Sequence, residues 1–353
     1  MTSRVSSDLL LVGSLPVASS DEGMRAGAEY FGDLVPALSD GESGERGAWV
    51  GYERNRVFMP HPDVEVVERP VQGRPNHVYE APVFQLRDGV TEVDLGDWSR
   101  IDEALESYRL FRSLREQGVI PSDVRFQVCL PFPSSAISGG FRRRHSADYP
   151  VVERAYEAMV QRGLERLLEH VPAEDLAIQW DMAYEVQDLE SVLAWTDPKQ
   201  AWERFVGPSR RLSPLIPEQV LLGYHLCYGT FPEWPMYEAR DMGLLVRMAN
   251  AAVETAGRPV DWVHMAGPRY LRSEEDAFFA PLADLSVPDT RVFLGIVLPL
   301  DGAAGLRRRH ETASRHLDDF GVSMYCGFGR QPGEDGRETM RTHRDTVTSV
   351  RRA

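Results

Sequence analysis

The chain has 353 residues, 42% hydrophobic and 26% charged, the balance of a globular protein long enough for one large α/β domain or two smaller ones. Its net charge of -15 argues against nucleic acid as a partner, because phosphate binding needs a basic face. Three widely separated cysteines argue against a disulfide framework, and no run approaches the roughly 18 apolar residues of a membrane span.

The opening "MTSRVSSDLLLVGSLPVASS" has too short an apolar run for a signal peptide, so a cytoplasmic protein is expected. In chain order, short apolar runs predict strands at 9–16, 81–86, 124–131, 176–182, 220–227, 260–266, 292–300 and 321–327. Apolar spacings of three and four predict helices at 102–117, 150–170, 236–256 and 305–320. The strands are continuously apolar, as in a parallel sheet covered on both faces. Eight of them at this length favour a single-domain (β/α)8 TIM barrel over residues 1–330, with an excursion at about 33–80. Residues 331–353 read as a polar C-terminal tail, a surface helix or loosely ordered. Neither G-x-G-x-x-G nor G-x-x-x-x-G-K follows a strand, so nucleotide-binding fingerprints are missing.

In a barrel, chemistry sits where strands end. Those places hold Ser14, Asp181, His225 with Cys227, His264 and Cys326. In "YHLCYG" (224–229) the histidine and cysteine are two apart, so in a strand both face the same way. A plain alternative is that both are buried core residues. With Cys326 at the end of a different strand, two thiolates and an imidazole suit Zn2+. Cys129, inside its strand, reads as core. "FRRRH" (141–145) is either a solvated face or a receiver of an anionic group, and "GLRRRH" (305–310) reads as the exposed start of a helix. Trp234 and Tyr237 suit a pocket wall or plain packing.

Together these segments resemble the catalytic half of cobalamin-independent methionine synthase, in the barrel superfamily that also holds uroporphyrinogen decarboxylase. The resemblance runs from residue 10 to about 330. "VGSLP" (12–16) is similar to that family's I-G-S-F-P, whose backbone and serine hold the amino-acid substrate; Ser14 takes that place. "DGESGER" (40–46) resembles H-G-E-x-E-R, which implies that Glu42 binds the substrate amine. "IQWDMAYE" (178–185) is similar to I-Q-I-D-E-P-A-L, placing Asp181 at the acidic residue that faces substrate. "YHLCYG" and "YCGFGR" (325–330) match the segments that carry zinc ligands, so the resemblance assigns zinc to His225, Cys227 and Cys326.

Departures from the family pattern redirect the function. The family's glutamate ligand falls at "WVHMAGPR" (262–269), where His264 is the replacement expected as fourth ligand, or else a group beside the metal. The family's acidic histidine falls at "GIVLPLDGAAG" (295–305), where Asp301 is the candidate substitute. The resemblance covers the family's catalytic half alone, so no counterpart of the domain that helps hold folate is expected. The expected function is therefore zinc-dependent methyl or alkyl transfer to a small thiol, homocysteine-like if Glu42 and Asp181 keep their roles, and not ordinary folate-dependent methionine synthesis. The alternatives are a barrel lyase, decarboxylase or hydrolase in which zinc activates water or a carbonyl, and a binding protein without catalysis. For Glu42 a surface turn in a Gly-Ser-rich loop is the competing reading. The expected partner is a small-molecule substrate, with no nucleic acid and no membrane; the sequence sets no oligomeric state.

Overall fold

Alternation of apolar strands with amphipathic helices places one sheet inside a ring of helices. The computed structural model describes residues 5–351 except 70, 75–76, 81, 142–146, 193–196, 231–236, 268–274, 299–300 and 331–335. The chain opens with β1 (Leu9–Leu10), α1 (Ser20–Phe31) and β2 (Ala37–Leu38). An excursion follows, with α2 (Trp49–Glu53), β3 (Val64–Glu68), β4 (Val71–Arg74), β5 (His77–Glu80) and β6 (Val83–Leu86). The barrel resumes with α3 (Ser99–Glu116), β7 (Arg125–Pro131), α4 (Pro133–Ser138), α5 (Tyr149–His170) and β8 (Leu176–Met182). Next come α6 (Tyr184–Leu189), α7 (Pro198–Leu212), β9 (Leu221–Leu226), α8 (Gly243–Thr255) and β10 (Trp262–Ala266). The last elements are α9 (Asp276–Phe279), β11 (Arg291–Val297), α10 (Gly302–Ala313), β12 (Gly321–Met324) and α11 (Gly336–Arg351).

Eight parallel strands, in the order β1-β12-β11-β10-β9-β8-β7-β2, form a nearly closed (β/α)8 barrel in a single domain. Alternation along each strand sorts the side chains. Leu9, Ile178, Leu222, Val263 and Leu294 face the large helix-packed core. Their neighbours Leu10, Ala177, Leu221, Trp262 and Phe293 pack together as a second cluster inside the barrel. Large inward rings sit opposite glycines. A Cβ on Gly223 would lie 1.9 Å from the Trp262 ring, and one on Gly321 would lie 2.5 Å from Phe293.

Two steps further along the same inward rows, the barrel turns polar: Gln127 and Cys129 on β7, Gln179 and Asp181 on β8, His225 on β9, His264 on β10. Asp181 pairs in register with His225, and His225 with His264. The polar layer therefore lies at the C-terminal mouth, above an apolar floor.

Several sequence expectations change in place. The segment 81–86 is not a barrel strand; β6 pairs antiparallel with β3 in the excursion. The second barrel strand is instead β2, two residues inside "DLVPALSD", too short to give a periodic signal. Of 9–16, Leu9–Leu10 joins the ladder and the rest turns over the barrel mouth. Residues 336–351, expected within a polar tail that is a surface helix or loosely ordered, form the helix α11, whose Met340, His343 and Val347 are buried at spacings of three and four. Arg309 in "GLRRRH" is fully buried, not exposed. The "FRRRH" arginines and Trp234 lie outside the described residues. Among the described residues, no helix is long and apolar enough to cross a membrane.

Candidate metal centre

The inward position of His225 at the end of β9 carries its imidazole to the barrel mouth, and Cys227 follows on the same face. Cys326 arrives from the segment after β12. One ligand atom from each of these three buried residues lies within 4.8 Å of the others, and His225 Nε2 is 3.7 Å from Cys326 Sγ. Ligands of a tetrahedral zinc, at about 2.0–2.1 Å for nitrogen and 2.3 Å for sulfur, stand roughly 3.5–3.8 Å apart. The His225–Cys326 pair thus has the spacing zinc needs, and two soft thiols with an imidazole fit it in donor type.

Ser14, Glu42, Asp181, His225, Cys227 and Cys326 line one small cavity of about 40 Å³. Trp49, from α2 in the excursion, also lines it. A larger cavity of about 300 Å³ lies against α11, behind β11 and β12, and has no residue of the cluster in its wall.

Glu42 is buried, not a surface turn. Its loop is bent by left-handed backbone at Gly41 (φ 83°), Glu42 (φ 48°) and Gly44 (φ 68°). That conformation costs a non-glycine residue about 1 kcal/mol, and local bonds offset it. Glu42 N donates to Asp40 Oδ1 at 3.0 Å, and Arg46 pairs with Asp40 at 2.6 Å. Ser39 Oγ donates to the Gly13 carbonyl at 2.5 Å, tying the loop to the segment after β1 that carries Ser14. Against the pull of burial, Arg46 and Ser107 hold Asp40 below the usual carboxylate range.

Asp181 puts a titratable carboxyl in the wall of the cavity. Burial pushes it up to about 7, Glu42 adds to the rise, and His225 and Gln179 oppose it. Gln179 Nε2 donates to Asp181 Oδ1 at 2.9 Å and to the Val12 carbonyl at 2.7 Å. The sequence reading missed Gln179 in this role, although its position two residues before Asp181 was the available signal. Trp49, by contrast, gave none.

His264, expected as fourth ligand or else as a group beside the metal, lies against His225. It is fully buried, with Nδ1 2.7 Å from His225 Nδ1 and Nε2 2.9 Å from the Met324 carbonyl. Both ring nitrogens are engaged, and the cluster among the described residues is His225, Cys227 and Cys326. Burial, with His225 beside it, holds its pKa well below the usual histidine range. Asp301 is elsewhere. Its carboxylate grips the buried Arg309 through two bonds of 2.6 and 2.8 Å, and Arg309 Nε donates to the Ile296 carbonyl at 2.7 Å. Asp301 neutralises a buried cation and is not in the wall of the cavity. Cys129 is buried below the cavity, its Sγ donating to the Val12 carbonyl at 3.2 Å. Tyr237 packs edge-on against Tyr228, with ring centroids 5.5 Å apart.

Fold and cluster together define a (β/α)8 barrel with a soft-donor centre in its C-terminal mouth. A scan of protein-family models finds no match to the chain, and a search of curated proteins finds none. Among solved structures, the chain is similar to a B12-independent methionine synthase from Shewanella sp. W3-18-1 in complex with selenomethionine. The two superpose with a TM-score of 0.53 and 13% identity, over 94% of this chain and 86% of that one. At that identity the likeness speaks for the fold.

Proposed function

We propose that this chain is a zinc-dependent transferase that methylates or alkylates a small thiol. The observation that carries the reading is the convergence of His225, Cys227 and Cys326 on one point, beside the buried carboxylate of Glu42 and the half-buried one of Asp181. When bound, zinc supplies a Lewis acid that makes a thiol at its open position more acidic.

The chain's own residues do the rest. Glu42 receives the ammonium group of an amino thiol such as homocysteine. Ser14 holds the other end of the substrate. With Oδ1 occupied by Gln179, Asp181 keeps Oδ2 for the substrate and takes the proton that leaves the sulfur. The sulfur forms its bond to the electrophilic carbon of the donor as the bond from that carbon to the leaving group breaks, and the leaving group departs with the electron pair. Asp301 is committed to Arg309, which leaves no acid for a folate leaving group at that position. The donor is thus expected to be one whose leaving group needs no protonation there.

One observation favours a second reading. A carboxyl poised near neutrality beside a metal centre also suits a hydrolase or lyase, in which Asp181 takes a proton from water instead. The two separate in one experiment. Metal content is measured on the purified protein, and homocysteine and simpler thiols are offered with methyl and alkyl donors, the S-alkyl product being read by mass spectrometry. Metal-free protein with full activity after chelation sinks both readings. Metal without thiol alkylation on any donor leaves the water-activating one.

A further inference from the structure

We propose that His264 is a positioning residue that fixes the tautomer of His225 and so aims a lone pair at the metal centre, in place of serving as a ligand itself. This rests on the zinc reading above, and its first test is independent of metal.

The inference follows from counting protons along three contacts. The Met324 carbonyl only accepts, so His264 Nε2 at 2.9 Å must carry the hydrogen. A fully buried imidazole whose two nitrogens meet a carbonyl and another imidazole stays neutral and holds one proton. His264 Nδ1 is then bare and can only accept. The 2.7 Å contact to His225 Nδ1 requires a donor, so the hydrogen is on His225 Nδ1. In a neutral His225 that leaves Nε2 unprotonated, and Nε2 is the atom 3.7 Å from Cys326 Sγ. With both imidazoles neutral, the order of proton positions from Met324 to the cluster is thereby fixed.

The backbone is arranged for this relay. His264 is on β10 and Met324 on β12, so the imidazole must reach past β11. The residue between them is Gly295, where a Cβ would lie 3.1 Å from His264 Nε2 and 2.8 Å from the Tyr325 Cα. A bare glycine leaves the passage open. Met324 is two residues before Cys326, so the relay ends on the segment that supplies another ligand. A metal ligand held by a hydrogen bond to its second nitrogen is a recurrent device, and removing such a partner typically costs 10–100-fold in affinity.

The first measurement uses the full chain labelled with 15N-histidine, without metal. Two-bond 15N–1H spectra must show His225 protonated at Nδ1; protonation at Nε2 overturns the proposal. The second compares zinc affinity by competition with a chromophoric chelator. His264→Leu should bind zinc about 10–100-fold more weakly, while His264→Gln, whose amide oxygen accepts from His225 and whose amide nitrogen donates to Met324, should restore most of the loss. Cobalt(II) spectra of wild type and His264→Gln should report the same donor set. Equal zinc affinity in wild type and His264→Leu, with matching circular dichroism, also overturns it. If wild type binds neither zinc nor cobalt, the functional reading fails, and the tautomer spectrum still decides the role of His264.

Discussion

Gln179 and Asp181 share one face of β8, and a 2.9 Å hydrogen bond from Nε2 of the first to Oδ1 of the second steadies the carboxylate. That bond stabilises the charged form and opposes burial, which has already raised the group to about 7. Gln179→Leu should raise the Asp181 pKa further, so a step that needs the carboxylate shifts to higher pH. A carboxyl 13C titration of the two proteins measures it. An unchanged midpoint removes Gln179 from the site.

Cys326 and Cys129 are both buried cysteines with opposite expected behaviour. Cys326→Ser should lower bound zinc to below about a tenth of wild type, because a hydroxyl is a poor substitute for thiolate. Cys129→Ser should leave metal content unchanged. Elemental analysis reads both, and loss of metal in both variants argues against the assigned ligand set.

Glu42 predicts selectivity for an amine. Removing one partner of a charge-assisted bond costs about 1.5–3 kcal/mol, or roughly tenfold to a hundredfold. Glu42→Gln should weaken homocysteine binding by that factor and hardly change binding of 4-mercaptobutyrate, which lacks the amine. Calorimetry on the zinc-loaded protein makes the comparison; equal losses for both ligands would remove the amine from the picture.

Glu185 sets a pH dependence of stability apart from the metal centre. It accepts from Ser135 N at 2.8 Å and from Ser135 Oγ, joining α4 after β7 to α6 after β8. Burial nonetheless pushes it up to about 7 from 4.5. Below about 4.5 it is protonated in both states. Between 4.5 and 7 the unfolded chain ionises first, so stability falls as pH rises through that window, by about 3 kcal/mol. Glu185→Gln should flatten this part of the profile in urea melts at successive pH values, and a slope equal to wild type would refute the assignment.

Asp301 is expected to matter for folding and not for metal. Arg309 is fully buried while the Asp301 side chain is 32% exposed, so the pair is partly screened. Asp301→Ala should destabilise the protein by about 2 kcal/mol, through a buried cation left without its partner, at unchanged zinc content. A variant of full stability that loses turnover would restore Asp301 to the chemistry.

The sequence made legible those features that repeat or have a distinctive donor set. The continuous apolar runs of β8, β9 and β11 marked a covered parallel sheet, and His225, Cys227 and Cys326 stood out because soft ligands at strand ends are rare. What stayed hidden had no periodic signature. The two residues of β2 were too few to alternate, and β6 was as apolar as a barrel strand although it pairs outside the barrel. The Asp197-Pro198 cap of α7, whose carboxylate accepts from Lys199 N and Gln200 N, was a start signal passed over. The direction in which His264 and Asp301 point depends on Met324 and Arg309, partners set by tertiary packing and not by spacing.

The short strands β1 and β2 have a mechanical consequence. Among the described residues they share no ladder with each other, and the crossing is made by Leu15 N to the Gly41 carbonyl and by Ser39 to Gly13. His225, in contrast, is flanked on both sides by laddered neighbours. The barrel thus has a compliant seam and a stiff wall, and amide exchange should be fastest along the seam. Ser14 and Glu42, which line the small cavity, are on the compliant side. A lineage carrying this scaffold can therefore reshape the cavity wall at the seam while the His225 imidazole stays where it is.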